Sequence, residues 1–276
     1  MNRSRPTVAD LRALKGRRQL TMVYVTTPDE ASACAEAGID VLSIETAYWD
    51  DAMRAAAGDC FVQVGLQYGR LATTDDYLRA AHDAMLTGGD AVYCAASTEI
   101  IARLATEGVP VVGHVGLIPS RRTWTGGFKA VGKTVDSALA VFDQVRALEN
   151  AGAFAAEIEV VPAPVTAEIA KRTSLVLFSM GAGAAGDAQY LFAEDVLGYT
   201  RGHRPRHAKV YRDFDAEFAR LQAERIGAFG EFRADVMSGE YPAPEHLVPV
   251  ADEIVEAFLA ELDARLDPRL DPRPEP

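Results

Sequence analysis

The 276-residue chain has three cysteines, Cys34, Cys60 and Cys94, widely spaced and without a Cys-x-x-Cys pair. That excludes a disulfide framework and a cysteine-based zinc or redox motif, and leaves the three as core fillers. Positive charge is also short, with 28 Lys and Arg against 40 Asp and Glu and a formal charge of −12. Such a balance attracts neither a phosphate backbone nor an anionic lipid surface. No run reaches the ~18 uninterrupted apolar residues of a membrane helix, and Met1 to Lys15 carries no apolar signal core. The expected setting is cytoplasmic, with neither nucleic acid nor membrane as a partner. Histidines are scattered, and the spaced pair His203 and His207 lies in an Arg-rich loop around Pro205, a poor frame for zinc.

What is present is a recurrence of short apolar runs every ~15 to 25 residues with amphipathic or turn segments between them, the pattern of β/α units. Eight runs occur: Leu20 to Thr26, Ile39 to Glu45, Cys60 to Gly65, Asp90 to Ala95, Val109 to Val115, Phe154 to Val160, Leu175 to Met180 and Gln189 to Ala193. Amphipathic stretches between several of them stop at Gly38, Gly88, Gly108 and Gly152, as helices do. The pattern predicts a closed (β/α)8 barrel, with an open doubly wound sheet as the competitor. No Gly-x-Gly-x-x-Gly follows the first run, which weakens the dinucleotide-binding form of that competitor. Tyr211 to Met237 and Val250 to Leu266 read as two further helices beyond the finished barrel. Helices in that position commonly pack on a neighbouring subunit, so a homo-oligomer is expected. Residues 1–266 are read as one domain and 267–276, with its repeated LDPR, as a disordered tail.

In such a barrel, functional residues lie at the C-terminal ends of the strands. The candidates there are Thr26, Thr27, Glu45, Thr46, Gln67, His114, Glu159 and the run Gly181 to Gly186. Glu159 sits in the apolar strand end AAEIEVVP, where desolvation would raise its pKa toward the range of a general base. The lesser alternative is a carboxylate that caps the following turn. His114 closes VVGH, where an imidazole can bind a substrate oxygen or carry a proton, or serve the fold alone. Glu45 closes VLSIE in the same manner and reads equally as a surface acid. Gly127 to Thr134 matches Gly-x-x-x-x-Gly-Lys-Thr, the phosphate-cradling loop, but no strand leads directly into it.

Four blocks, GHVGLIPSRRTWTGGFKAVGKT (113–134), ALENAGAFAAEIEVVPAPVTAEIAKR (147–172), SMGAGAAGDAQYLFAEDVLGYTRGHRPRHAKVY (179–211) and SGEYPAPEH (238–246), together with the opening LRALKGRRQLTMVYVTTPDEASACAEAGIDVLSIE, resemble the ketopantoate hydroxymethyltransferase family. The resemblance implies a barrel of the phosphoenolpyruvate mutase and isocitrate lyase type, assembled through its C-terminal helices into a ring of dimers, up to a decamer. It implies aldol-type chemistry: a 2-oxo acid chelates Mg2+, a base removes the proton beside the ketone, and the enolate attacks the one-carbon unit of methylenetetrahydrofolate. On this resemblance Glu159 is the catalytic acid/base, His114 contacts the product, Glu45 stands for the magnesium aspartate and Thr46 for the substrate-binding serine.

Departures from the family pattern are equally specific. Gly65 stands where the third strand carries a second acid, and Tyr93 and Ala95 replace a lysine and a glutamate of the fourth strand. The segment Ala47 to Asp59 replaces a Gly-rich loop. Glu45 with waters alone would make a weak magnesium site, and losing two acids and a cation changes which ligand the pocket balances. The expectation is therefore a hydroxymethyltransferase-like enzyme with a rewritten metal site and a changed 2-oxo acid substrate, its pocket shaped by Tyr93 or Gln67. The alternatives are another C–C lyase or decarboxylase of the superfamily, and a non-catalytic ligand-binding barrel.

Overall fold

The computed structural model describes residues 5–266; the tail expected at 267–276 lies outside the described residues. Backbone contacts divide the chain into two compact units that meet in sequence between Phe214 and Asp215. In the first unit α1 (Val8–Leu14) precedes β1 (Leu20–Tyr24), α2 (Pro28–Ala37), β2 (Val41–Glu45), α3 (Asp51–Ala56) and β3 (Phe61–Gly65). Then come α4 (Thr74–Leu86), β4 (Ala91–Tyr93), α5 (Thr98–Thr106), β5 (Val111–Gly116) and α6 (Val135–Asn150). β6 (Ala155–Glu159), α7 (Ala163–Ala170), β7 (Val176–Met180), β8 (Ala188–Phe192) and α8 (Ala193–Leu197) complete it. The strands pair in parallel in sequence order and β8 closes on β1, so each expected apolar run supplies one stave of a closed barrel. One connection departs from strict alternation, since β7 reaches β8 through a loop at 181–187 without a helix.

Alternation along each strand sorts the side chains into two apolar sets. Leu42, Ile44, Val62, Val64, Ala156 and Ile158 pack with the surrounding helices. Their neighbours Val41, Phe61, Val112, Ala155, Val176 and Phe178 form a separate cluster inside the barrel, joined by Leu11 of α1. Aspartates mark the strand entrances. Asp40 accepts from Thr21 N at 3.0 Å, Asp90 from Val62 N at 2.9 Å and Asp187 from Leu177 N at 2.8 Å. Arg18 and Lys15 pair with the first and third of these at 2.7 and 2.8 Å. These three acids are thus structural and sit at the end of the barrel opposite the strand C-termini.

The second unit comprises most of α9 (Phe214–Ser238) and all of α10 (Asp252–Leu266), the extra C-terminal helices expected from the sequence. Neither helix has a buried residue. Phe218, Ile226, Phe229, Phe232 and Phe258 are all exposed.

Gly116 ends β5 with φ 84°, and its conformation turns the chain so that Leu117 N donates to Glu159 O at 2.9 Å. A Cβ there would run into that same carbonyl oxygen and lie 2.7 Å from Val161 Cγ2. Gly116→Ala is expected to cost about 2 kcal/mol, a melting-temperature drop of about 5 °C by circular dichroism. An unchanged melt would contradict this account of the β5 terminus.

Candidate active site

Residues two apart on a strand share a face, so β6 presents Glu157 and Glu159 together to the barrel interior. The neighbouring strand β5 sets His114 beside Glu157 and Gly116 beside Glu159. The imidazole lies between the two carboxylates, with Nε2 3.2 Å from Glu159 Oε2 and Nδ1 3.5 Å from Glu157 Oε2. Nε2 also lies 2.8 Å from the Leu117 carbonyl oxygen, which can only accept, so Nε2 carries a proton. Nδ1 lies 2.7 Å from the Tyr93 hydroxyl. In the neutral ring Tyr93 donates to Nδ1; in the imidazolium Nδ1–H donates to the Tyr93 oxygen.

Burial governs the titration of this cluster. It would drive the His114 pKa down, but the Glu159 hydrogen bond and the charges of Glu157 and Glu159 outweigh it and the net shift is upward. Burial pushes Glu157 up to about 7, helped by the like charge of Glu159 and opposed by His114 and Gln63. The Tyr93 and Tyr190 phenols are raised well above their ordinary range by burial and then by Glu157. At neutral pH the phenols keep their protons, while Glu157 stands near its midpoint.

A hydrogen-bond chain continues across the barrel. Gln63 Nε2 donates to Glu157 Oε1 at 2.6 Å and to Ser43 Oγ at 3.0 Å, and Ser43 is hydrogen-bonded to Tyr190. The chain therefore links β8, β2, β3, β6, β5 and β4. Above it opens a cavity of about 1760 Å³, larger than the ~300–1,000 Å³ of most small-molecule sites. Arg70, Lys129, Lys133 and Arg206 line it.

The structure brings Glu159 and His114 together and leaves Thr46 apart from the cavity lining, opening the short turn Thr46–Tyr48. Glu45 lines the mouth, exposed, in register with Gly65. Gln67 and Tyr93 also line the cavity. Thr27 caps α2, accepting from Glu30 N at 3.3 Å. In the glycine run the Gly183 carbonyl accepts from Ser179 Oγ at 2.7 Å and Gln189 Nε2 at 3.1 Å. Gly181 packs so closely on the His207 ring that a Cβ would lie 2.6 Å from Nδ1. Thr134, the last residue of the phosphate-loop match, caps α6. Glu157, Gln63, Ser43 and Tyr190 had not been singled out in the sequence, although alternation from Glu159 points directly to Glu157.

The donor set does not fit an ordinary magnesium site. Of the carboxylates lining the cavity, Glu157 and Glu159 are engaged by His114, and Asp195 accepts from Thr200 Oγ1 at 2.6 Å. Glu45 remains, facing a glycine. Among the described residues no three His, Cys, Asp or Glu side chains gather as metal ligands.

Comparison with known proteins defines the class first. Phosphonopyruvate hydrolase matches 96% of this chain with 99% of its own, at TM-score 0.50 and 13% identity. A 2,3-dimethylmalate lyase described as a phosphoenolpyruvate mutase/isocitrate lyase superfamily member matches 94% with 100% of its own, at TM-score 0.47 and 13% identity. The likeness to phosphonopyruvate hydrolase shows the fold alone: the chain is a (β/α)8 barrel with added C-terminal helices. At the level of sequence, the family model for ketopantoate hydroxymethyltransferase matches residues 45–244. The 3-methyl-2-oxobutanoate hydroxymethyltransferase of Nitratidesulfovibrio vulgaris is 30% identical over 94% of this chain and 90% of its own length. That of Thermus thermophilus is 33% identical over 88% and 99%. The chain belongs to the ketopantoate hydroxymethyltransferase family, a family of transferase enzymes. No helix among the described residues is long and apolar enough to cross a membrane.

Glu157 provides a direct check. Its carboxyl binds a proton more tightly folded, with a pKa of about 7, than unfolded, where it is an ordinary glutamate. Stability tied to that proton is present below the unfolded pKa and falls as pH rises toward 7. Glu157→Gln should therefore melt several degrees above the parent at pH 8, with the gap closing by about pH 5. A gap that widens on acidification would reverse the assignment.

Proposed function

We propose that this enzyme performs aldol-type carbon–carbon chemistry on a small 2-oxo acid through its enolate, with Glu159 as the group that removes and returns the proton beside the ketone. The observation that carries this reading is the buried imidazole flanked by two carboxylates of one strand, 3.2 and 3.5 Å away, at the base of the cavity. His114 Nε2–H lies 3.2 Å from Glu159 Oε2 and orients and stabilises the carboxylate that takes the proton. Tyr93 holds the far edge of the ring through Nδ1, beside Glu157. The proton stays on Glu159, at the base of the cavity, until it is returned.

In this reading Mg2+ has no assigned step, because the carboxylates that would hold it are absent or already engaged. The substrate differs from the 3-methyl-2-oxobutanoate in the names of the relatives, since Gly65, Tyr93 and Ala95 remove two acids and a cation from the mouth. The one-carbon unit comes from methylenetetrahydrofolate. Support for that second substrate is space, a cavity of about 1760 Å³, together with the cations Arg70, Lys129, Lys133 and Arg206 facing it. The protein works in the cytoplasm as a homo-oligomer, a reading supported by the apolar side chains exposed on α9 and α10.

Solvent deuterium exchange at the carbon beside the ketone, followed by NMR across a panel of 2-oxo acids, tests the proposal. Exchange is expected in the parent enzyme, and Glu159→Gln should slow it by about 100-fold or more with an unchanged circular dichroism spectrum. Failure of every 2-oxo acid to exchange, with and without divalent metal, would point instead to a binding barrel.

A further inference from the structure

The interior of the barrel changes character partway up. At its lower level the inward-facing side chains are Val41, Phe61, Ala91, Val112, Ala155, Val176 and Ala188, the apolar filling that barrels of this kind ordinarily carry throughout. Two residues further along the strands stand Ser43, Gln63, Tyr93, His114, Glu157 and Tyr190, with Phe178 the one apolar member of the level. All but Tyr93 are classed as buried, and the polar ones form the hydrogen-bond chain described above. The cavity does not stop at Glu159 and Glu45. It continues to Ser43, Glu157 and Tyr190, two residues deeper on their strands, which is about 6 Å at ~3.3 Å per residue.

A hydrocarbon chain descending from a 2-oxo acid held beside Glu159 would meet the Ser43 hydroxyl, the Tyr190 phenol and the Glu157 carboxyl. It would strip water from all three and return no hydrogen bond. Gln63 stands behind these groups, outside the cavity lining. Its amide N–H groups go to Glu157 and Ser43 and fix the direction in which both face the cavity. A carboxylate would bring negative charge onto Glu157 and Glu159, and an ammonium would compete with His114 for both. A hydroxyl is neutral and both donates and accepts.

Resting on the 2-oxo acid reading above, we infer that the polar floor formed by Ser43, Glu157 and Tyr190, backed by Gln63, selects a 2-oxo acid whose side chain ends in an uncharged hydroxyl. Gln63 is a positioning residue in this scheme, aiming Ser43 and Glu157.

Dissociation constants for three ligands of matched length on the unaltered enzyme provide the test: 5-hydroxy-2-oxopentanoate, its hydrocarbon counterpart 2-oxohexanoate, and 2-oxoglutarate. The hydroxylated acid should bind at least about tenfold more tightly than either of the others. Gln63→Leu should shrink that ratio toward unity, an effect that a merely structural role would not produce. Equal affinities, or a preference for the hydrocarbon or the dicarboxylate, would overturn the inference without any variant being made. Selective binding of the hydroxylated acid without exchange at the carbon beside the ketone would uphold the floor and remove the enolate reading. No binding of any 2-oxo acid would overturn both.

Discussion

The site depends on a single constraint, an imidazole held between two carboxylates that belong to the same strand. Because Glu157 and Glu159 are two residues apart on β6, the pleat itself fixes their spacing and their common direction. His114 enters from β5 in parallel register, so its position follows from barrel closure and not from a mobile loop. Burial makes each charge costly alone, and mutual compensation makes the set tolerable. The charge of His114 opposes the rise that burial gives Glu157, and Tyr93 and the Leu117 carbonyl orient the ring that both acids flank.

This concentration of polar groups is possible because the rest of the barrel is built to carry it. The lower interior is filled with hydrocarbon and joined by Leu11, and Asp40, Asp90 and Asp187 satisfy backbone N–H groups where strands begin. Those acids contribute to the formal charge of −12 without serving the mouth. At the mouth, acid is sparse and largely spoken for. Glu45 is left facing Gly65, a single acid with no second beside it in the register.

Much of the architecture was legible in the sequence because barrel strands, apolar on both faces, announce themselves as short uninterrupted runs. Each of the eight became a strand, and both C-terminal helices appeared where the pattern placed them. Glu159 and His114 were legible because they terminate such runs. Glu157, Gln63 and Ser43 were not, because each is a polar letter inside an otherwise apolar word, AAEIE, FVQVG or VLSIE. Composition reads those as noise; only strand periodicity, carried backward two residues from Glu159, marks Glu157. The partnership of Gln63 with Glu157 spans 94 positions and exists only once the barrel has closed. Thr46 follows Glu45 at the end of the same run and opens the turn Thr46–Tyr48, outside the cavity lining.

The central claim is that Glu157, buried beside His114, holds its proton up to near neutral pH. An NMR titration of enzyme carrying 13C in its glutamate side-chain carboxyls reads it directly. The account predicts one carboxyl, removed by Glu157→Gln, that titrates near pH 7 and whose midpoint moves when His114 is replaced by glutamine. A Glu157 carboxyl that titrates in the ordinary glutamate range, indifferent to His114, would contradict it.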